Sequence, residues 1–335
     1  MLINMRIRLL PYRTTILTSS ALLAFAGNSV LCRLALVDNT IDELSFTIIR
    51  LISGALMLYM VLLYRSDFVT SKPLVSKPST SDTFASEELQ YHQPNNGSNM
   101  RALRGRGSWV NSAMLFIYAL LFSLAYVRLD TGVGALILFG SVQITMILYG
   151  FMSGQRLKAI EFFGVLLAIL GVAYLLWPSS ETDQSTAVSW LGGVLMMLSG
   201  VAWGLYSVAG ASSKSPIADT AANFFRALPM AISLLLLFIF YSPLLSIKGV
   251  LLAVVSGALT SGVGYAIWYA ALPRLSNIQA AVVQLFVPIL AAGGGVIFAR
   301  EPITITLLLS SLMVLGGVLL VIASRAATIT TVSKN

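Results

Sequence analysis

The sequence alternates long apolar runs with shorter polar segments. Each run is about 20 residues long, the length of an α-helix that crosses a hydrocarbon core of about 30 Å. The runs are continuously apolar rather than alternating with a period of two, so they indicate helices and not the strands of a membrane barrel. The pattern therefore predicts an all-α integral membrane protein with ten transmembrane helices, at 16–36, 45–64, 109–127, 132–152, 159–177, 189–210, 219–241, 249–271, 277–298 and 303–323.

Composition supports the same class of protein. Of the 335 residues, 57% are hydrophobic and only 10% are charged, whereas about a quarter of the residues in soluble domains are charged. The net charge of +8 would suggest nucleic acid as the partner of a soluble protein. In a membrane protein it reflects Lys and Arg in the cytoplasmic segments, so we expect a lipid bilayer and no nucleic acid. Cys32 is the only cysteine, which excludes an intrachain disulfide.

The distribution of positive charge predicts the orientation. An even number of spans places both termini on one side of the membrane. Fifteen Lys and Arg residues outside the spans fall in the segments on that side, and three, Arg128, Lys248 and Arg300, fall on the other. Because positive loops stay inside, residues 1–15 and 324–335 are predicted to be cytoplasmic, in a cell (inner or plasma) membrane.

One stretch of the chain occurs twice. Residues 274–302 align with residues 128–156 without a gap, so that Arg274-Leu275 falls on Arg128-Leu129 at an offset of 146 residues (274 − 128). The alignment divides the chain into five-helix units at 16–177 and 189–323. Because five is an odd number, the second unit enters the membrane upside down relative to the first, which predicts an inverted-topology repeat.

A hydrophilic block interrupts the first unit at residues 65–108. It is rich in Ser, Thr, Pro and Asn and contains the only histidine, His92. Its low apolar content predicts a disordered cytoplasmic loop. A regulatory or partner-binding loop is the alternative interpretation.

Short motifs at equivalent places in the two units give the chain a family resemblance. It resembles the drug/metabolite transporter superfamily, in its EamA branch, through Phe25-Ala26-Gly27-Asn28, Trp203-Gly204, Gly154-Gln155-Arg156-Leu157 and Arg300-Glu301-Pro302-Ile303. The resemblance implies export or exchange of small metabolites, such as amino acids or related compounds, by alternating access through a central cavity. The chain departs from the family pattern at Phe25 (usually Trp), Arg33 (usually Lys) and Gln155 (usually Glu). In the first unit, Val142 occupies the position equivalent to Pro288, so that unit lacks the proline.

Polar and aromatic residues near the middle of the spans are the candidates for substrate contact. A buried polar group must find a partner or bind a ligand, and aromatic rings can enclose an apolar side chain. The predicted substrate-binding residues are Asn28, Tyr118, Gln143, Trp203, Tyr206 and Gln284, with Pro288 as a hinge or kink. The alternative role of each amide is a hydrogen bond between helices. Arg50 and Arg226 lie near helix starts, where we expect snorkelling to the headgroups rather than contact with an anionic substrate.

The acidic residues limit the mechanism. All thirteen lie in loops or near span ends, which favours facilitated diffusion or exchange over proton antiport, with Glu161 and Glu301 as the exceptions that could titrate. No cofactor, metal site or enzymatic activity is predicted, because the sequence offers no HExxH, no intramembrane Asp pair and no Gly-x-Ser-x-Gly. A non-transporting membrane adaptor acting through residues 65–108 is the first alternative function, and an intramembrane enzyme is the second. The oligomeric state, including a homodimer, is left open.

Overall fold

The computed structural model describes residues 12–70, 106–155, 158–177, 189–240, 242–275 and 277–332. Within these ranges, ten helices are long and apolar enough to cross a membrane, which confirms the predicted all-α membrane fold. Their ends differ from the predicted ends by a few residues. The helices are α1 (Tyr12–Val37), α2 (Glu43–Thr70), α3 (Trp109–Tyr126), α4 (Thr131–Met152), α5 (Ala159–Leu176), α6 (Trp190–Gly210), α7 (Pro216–Ile239), α8 (Ile247–Arg274), α9 (Ile278–Ala299) and α10 (Ile305–Val332).

The helices that flank the predicted hydrophilic loop are described up to residue 70 and from residue 109. Helix α2 continues to Thr70 rather than ending at residue 64, and α3 begins at Trp109 after an N-cap at Ser108. Residues 71–105, which include His92, lie outside the described residues.

Two spans depart from regular α-helix. In α8, residues Ser256–Val263 form a π-helical segment. Helix α9 is interrupted at Leu285, one turn before Pro288. Proline has no N–H and its ring crowds the carbonyl four residues earlier, here that of Gln284, which explains why the α-helical pattern breaks there. The role of Pro288 as a hinge stays a prediction.

Helix packing is reciprocal between the two five-helix units. Helix α1 packs against α8 and α9, and the corresponding helix of the second unit, α6, packs against α3 and α4. Helix α5 packs against α10, and α2 packs against α7. This pairing is what two related units would produce, and the inverted relation between them stays a prediction.

Ion pairs near the helix ends define two faces of the bundle. On the first face, Lys248 forms an ion pair with Asp38 at 2.8 Å, which joins the start of α8 to the α1–α2 loop. On the second face, Arg325 of α10 lies 3.7 Å from Glu161 of α5. The two faces group the loops as the charge count does. That the second face is cytoplasmic stays a prediction.

Helix α5 shows how the bundle meets lipid. Gly164 and Ala168 are buried toward α10, whereas Phe162, Phe163, Leu166, Ile169 and Leu170 are exposed. A contiguous apolar surface of this kind is stable only when lipid or protein covers it, which agrees with a protein that spans a bilayer.

Glycines bring α6 close to α4, as their spacing predicts. A Cβ at Gly200 would lie 2.6 Å from Ser141 Cβ and 2.7 Å from the Leu138 carbonyl oxygen, and one at Gly204 would lie 2.8 Å from Thr145 Cβ. By contrast, a Cβ at Gly210, on the same helix, has no heavy atom within 4 Å. The α4–α6 contact therefore depends on Gly200 and Gly204.

We expect Gly200→Val to destabilise the protein, because the added side chain must push α6 away from α4. Overpacking of this kind typically costs about 1–3 kcal/mol. The measurement is the apparent melting temperature of the protein in detergent, followed with a thiol-reactive dye, since Cys32 is buried and becomes accessible on unfolding. Gly200→Val should lower the melting temperature by several degrees, and Gly210→Val, the matched control, should leave it nearly unchanged. Equal melting temperatures for the two variants would contradict the proposed close contact.

Candidate functional site

Asn28 of α1 is the centre of a buried hydrogen-bond cluster. Its Oδ1 accepts from Ser256 Oγ at 2.7 Å, and its Nδ2 donates to the Tyr118 hydroxyl at 3.5 Å. The Thr260 hydroxyl is 3.3 Å from the same Oδ1 and 2.6 Å from the Ser256 carbonyl oxygen. Asn28 therefore links α1 to α3 and α8. The two hydroxyl donors from α8 lie in its π-helical segment, a distortion that is frequent at functional sites.

Aromatic rings form a wall beside this cluster. The Tyr118 and Trp203 ring centroids are 4.7 Å apart. Trp203 in turn stacks on Tyr206 at 5.2 Å and 25°, and on Tyr265 at 5.4 Å and 19°. Aromatic side chains of this kind can pack against the apolar part of a bound molecule. The wall joins α3, α6 and α8.

A second polar network continues from Tyr206 toward the second face. The Tyr206 hydroxyl donates to Thr220 Oγ1 at 3.4 Å and accepts from Asn223 Nδ2 at 3.4 Å. Thr220 donates to the Tyr269 hydroxyl at 3.2 Å. Asn223 Oδ1 accepts from the backbone N–H of Ser108 at 2.9 Å, at the start of α3. These contacts hold α3, α6, α7 and α8 together.

Arg50 of α2 lies beside the Asn28 cluster. Its side chain is 2% exposed, and its Nη2 donates to the Tyr118 hydroxyl at 2.9 Å. The guanidinium carbon lies 4.8 Å from the Phe122 ring centroid and 5.3 Å from that of Tyr118. The prediction that the Arg50 side chain extends to the lipid headgroups is therefore wrong. The equivalent Arg226 donates to the backbone carbonyl of Arg106.

An ion-pair cluster lies on the first-face side of Asn28. Arg33 forms ion pairs with Asp130 and Glu301, each at 3.0 Å, and its Nη1 donates to the Tyr126 carbonyl at 3.0 Å. Glu301 also accepts from the backbone N–H of Thr131 at 2.8 Å. Arg33 is five residues beyond Asn28, or about 7.5 Å along α1. We call Arg33, Asp130 and Glu301 the first-face clamp; it ties α1 to the start of α4 and the end of α9.

The structure brings together four of the six predicted binding residues. Asn28, Tyr118, Trp203 and Tyr206 form one chain of contacts. The other two predicted residues, Gln143 and Gln284, do not hydrogen-bond to any of these four. Gln143 is buried with its Nε2 lacking a hydrogen-bond partner, and Gln284 is half-buried at the break in α9. Substrate contact stays a prediction for all six.

Sequence reasoning missed several members of the site. They are Arg50, Thr220, Asn223, Ser256, Tyr265 and Tyr269. Two signals could have indicated some of them. Arg50 lies two turns inside an apolar helix, and Tyr265 and Tyr269 are four residues apart, which places them on one helix face.

Comparisons with known proteins agree with this architecture. The sequence model of the EamA-like transporter family matches residues 190–323, the second five-helix unit. The uncharacterized protein PA1977 of Pseudomonas aeruginosa is 45% identical over 315 residues, covering 93% of this chain and 96% of that protein. A solved crystal structure aligns with a TM-score of 0.54 at 17% identity, over 93% of this chain and 98% of the other, a likeness of fold alone. The chain belongs to the EamA-like transporter family of the drug/metabolite transporter superfamily, and it is a multi-pass membrane transporter.

Proposed function

We propose that this transporter moves small metabolites, amino acids or related compounds, out of the cell by facilitated diffusion or exchange. The observation that carries the proposal is the buried chain of contacts from Asn28 through Tyr118 and Trp203 to Tyr206, where helices of both five-helix units meet. Asn28 and Tyr118 can hydrogen-bond the polar group of a substrate, and the aromatic rings can enclose an apolar side chain of the same substrate.

Alternating access is supported by what lies on either side of this site. The first-face clamp joins α1, α4 and α9 across the two units. Toward the second face, the network of Tyr206, Thr220, Asn223 and Tyr269 joins α3, α6, α7 and α8. We propose that breaking one of these sets of contacts while the other holds exposes the site to one side at a time.

Transport without proton coupling is supported by the acidic residues. Among the described residues, no carboxylate hydrogen-bonds to the Asn28 cluster. Glu301 is paired with Arg33 at 3.0 Å, and Glu161 accepts from Ser324 at 3.2 Å and faces Arg325. Intramembrane carboxylates that bind and release protons along a pathway are common in coupled carriers. We place the protein in the cell membrane with cytoplasmic termini, as the charge distribution predicts.

Uptake into proteoliposomes tests this proposal. We expect saturable uptake of one or more labelled amino acids or related metabolites, which persists when an imposed pH gradient is collapsed. Trp203→Leu should lower the uptake at low substrate concentration about fivefold, since an aromatic contact is worth about 1 kcal/mol beyond its area. Trp190→Leu is the matched control, because Trp190 lies on the same helix and is exposed; it should leave uptake within about twofold of wild type.

Other outcomes of this assay have definite meanings. Loss of uptake in Gln284→Leu would extend the site to α9. Uptake that requires the gradient would contradict the uncoupled mechanism and direct attention to Glu161 and Glu301. Equal loss in Trp203→Leu and Trp190→Leu would refute the placement of the site on the aromatic wall.

A second prediction concerns the first-face clamp. Glu301→Gln removes one of the two carboxylates that hold Arg33, so the first face should open more often. The reporter is Cys32, the only cysteine, which is fully buried next to Arg33. Glu301→Gln should raise the rate at which a membrane-impermeant thiol reagent, added from the first-face side, labels Cys32.

Asp38→Asn is the control for this experiment. Asp38 also forms an ion pair on the first face, with Lys248, but both side chains are more than half exposed, and such surface pairs contribute little. Its labelling rate should match that of wild type. If Glu301→Gln labels no faster than Asp38→Asn, the clamp does not control access to the site.

A further inference from the structure

Arg50 carries a positive charge that the described residues do not neutralise. A guanidinium stays protonated in proteins, and burying an ion without a partner is strongly unfavourable. Within the described ranges, Arg50 forms no ion pair with any carboxylate. Asp130 and Glu301, on the first face, are both paired with Arg33.

Hydrogen-bond donors are also in excess at this point. Arg50 Nη1 is buried and has no hydrogen-bond partner. The Tyr118 hydroxyl accepts from both Arg50 and Asn28, and none of the described residues accepts its own proton. Asn28 Oδ1, the nearby acceptor, already faces the hydroxyls of Ser256 and Thr260. The site therefore presents donors without acceptors, which is the complement of a carboxylate.

The aromatic rings around Arg50 do not remove this imbalance. Phe122 and Tyr118 lie within 5.3 Å of the guanidinium carbon, and a ring face stabilises a cation to a modest degree. A ring face accepts no strong hydrogen bond from Nη1, however, and it carries no net charge. The rings can hold the guanidinium in place while its remaining donors stay available.

We propose that Arg50 binds the carboxylate of the transported molecule, and that the substrate is an organic monoanion with an apolar or aromatic group. The carboxylate would accept from Arg50 Nη1 and from the Tyr118 hydroxyl. The apolar group would pack on Trp203, whose ring centroid lies 4.7 Å from that of Tyr118. This proposal rests on the proposed transport function and narrows its substrate class.

The charge balance favours an anion over a zwitterion. A monoanion neutralises Arg50, whereas a zwitterionic amino acid brings an ammonium group as well. Among the described residues, no carboxylate lies at the Asn28 cluster to pair with that ammonium. We therefore expect oxo acids and similar carboxylates to bind more tightly than the amino acids of the same side chain.

Calorimetric binding to the purified protein tests this inference with compounds that differ mainly in charge. The aromatic series is phenylpyruvate, phenylalanine and phenylalaninamide, and the aliphatic series is 4-methyl-2-oxopentanoate, leucine and leucinamide. We expect at least one oxo acid to bind at least about tenfold more tightly than the matching amide, the effect of one hydrogen-bonded charge. Arg50→Gln should abolish this preference, and Arg50→Lys, which keeps the charge, should retain part of it.

Arg226→Gln is the matched control, since Arg226 has the equivalent position in α7 and donates to a backbone carbonyl. It should leave the preference for the anion unchanged. Equal affinity of the wild type for oxo acid and amide, no binding of either oxo acid, or an unchanged preference in Arg50→Gln would overturn the inference. A lowered melting temperature in Arg50→Gln without any change in the preference would show that Arg50 has only a structural role.

The same compounds distinguish failure of this inference from failure of the transport proposal. Uptake into proteoliposomes that is equal in wild type and Arg50→Gln would refute the role of Arg50 and leave transport standing. Binding that depends on Arg50, without uptake of any bound compound, would support the carboxylate site and refute transport of that compound.

Discussion

A polar side chain inside a membrane-spanning helix has to find its hydrogen-bond partners on other helices, and Asn28 meets this requirement from three directions. Its three partners lie on two helices: it donates to Tyr118 of α3 and faces the hydroxyls of Ser256 and Thr260 of α8. Hydrogen bonds of this kind contribute only about 0.6–2 kcal/mol each between membrane helices. They are strong enough to fix the geometry of the site and weak enough to exchange for bonds to a substrate.

The surrounding contacts differ in strength on the two sides of Asn28. Toward the first face, Arg33 holds two carboxylates and a backbone carbonyl in a half-buried setting, where ion pairs are screened little by salt. Toward the second face, the contacts around Tyr206 are neutral hydrogen bonds of 3.2 to 3.4 Å. The contacts next to Asn28 are therefore ionic on the first-face side and neutral around Tyr206.

Much of the fold could be predicted from the sequence, and less of the site. The ten spans follow from runs of apolar residues, which are a local property of the sequence. The surroundings of Arg50 depend on Tyr118 and Phe122, about 70 residues away on α3. No local pattern reports such a neighbour, and the sequence alone predicts that the side chain reaches the headgroups. Gln143 and Gln284 lie near the middle of their spans, but depth does not specify the helix face.

We propose that the transported molecule binds where Asn28, Tyr118 and Trp203 meet, beside Arg50. An experimental structure of the protein with a compound that it transports would show whether it does. We predict that the compound contacts the Trp203 ring and places its carboxylate against Arg50 Nη1, with the Tyr118 hydroxyl reoriented toward it. A compound bound between other helices, with the hydrogen bonds of Asn28 and Arg50 unchanged, would contradict the account.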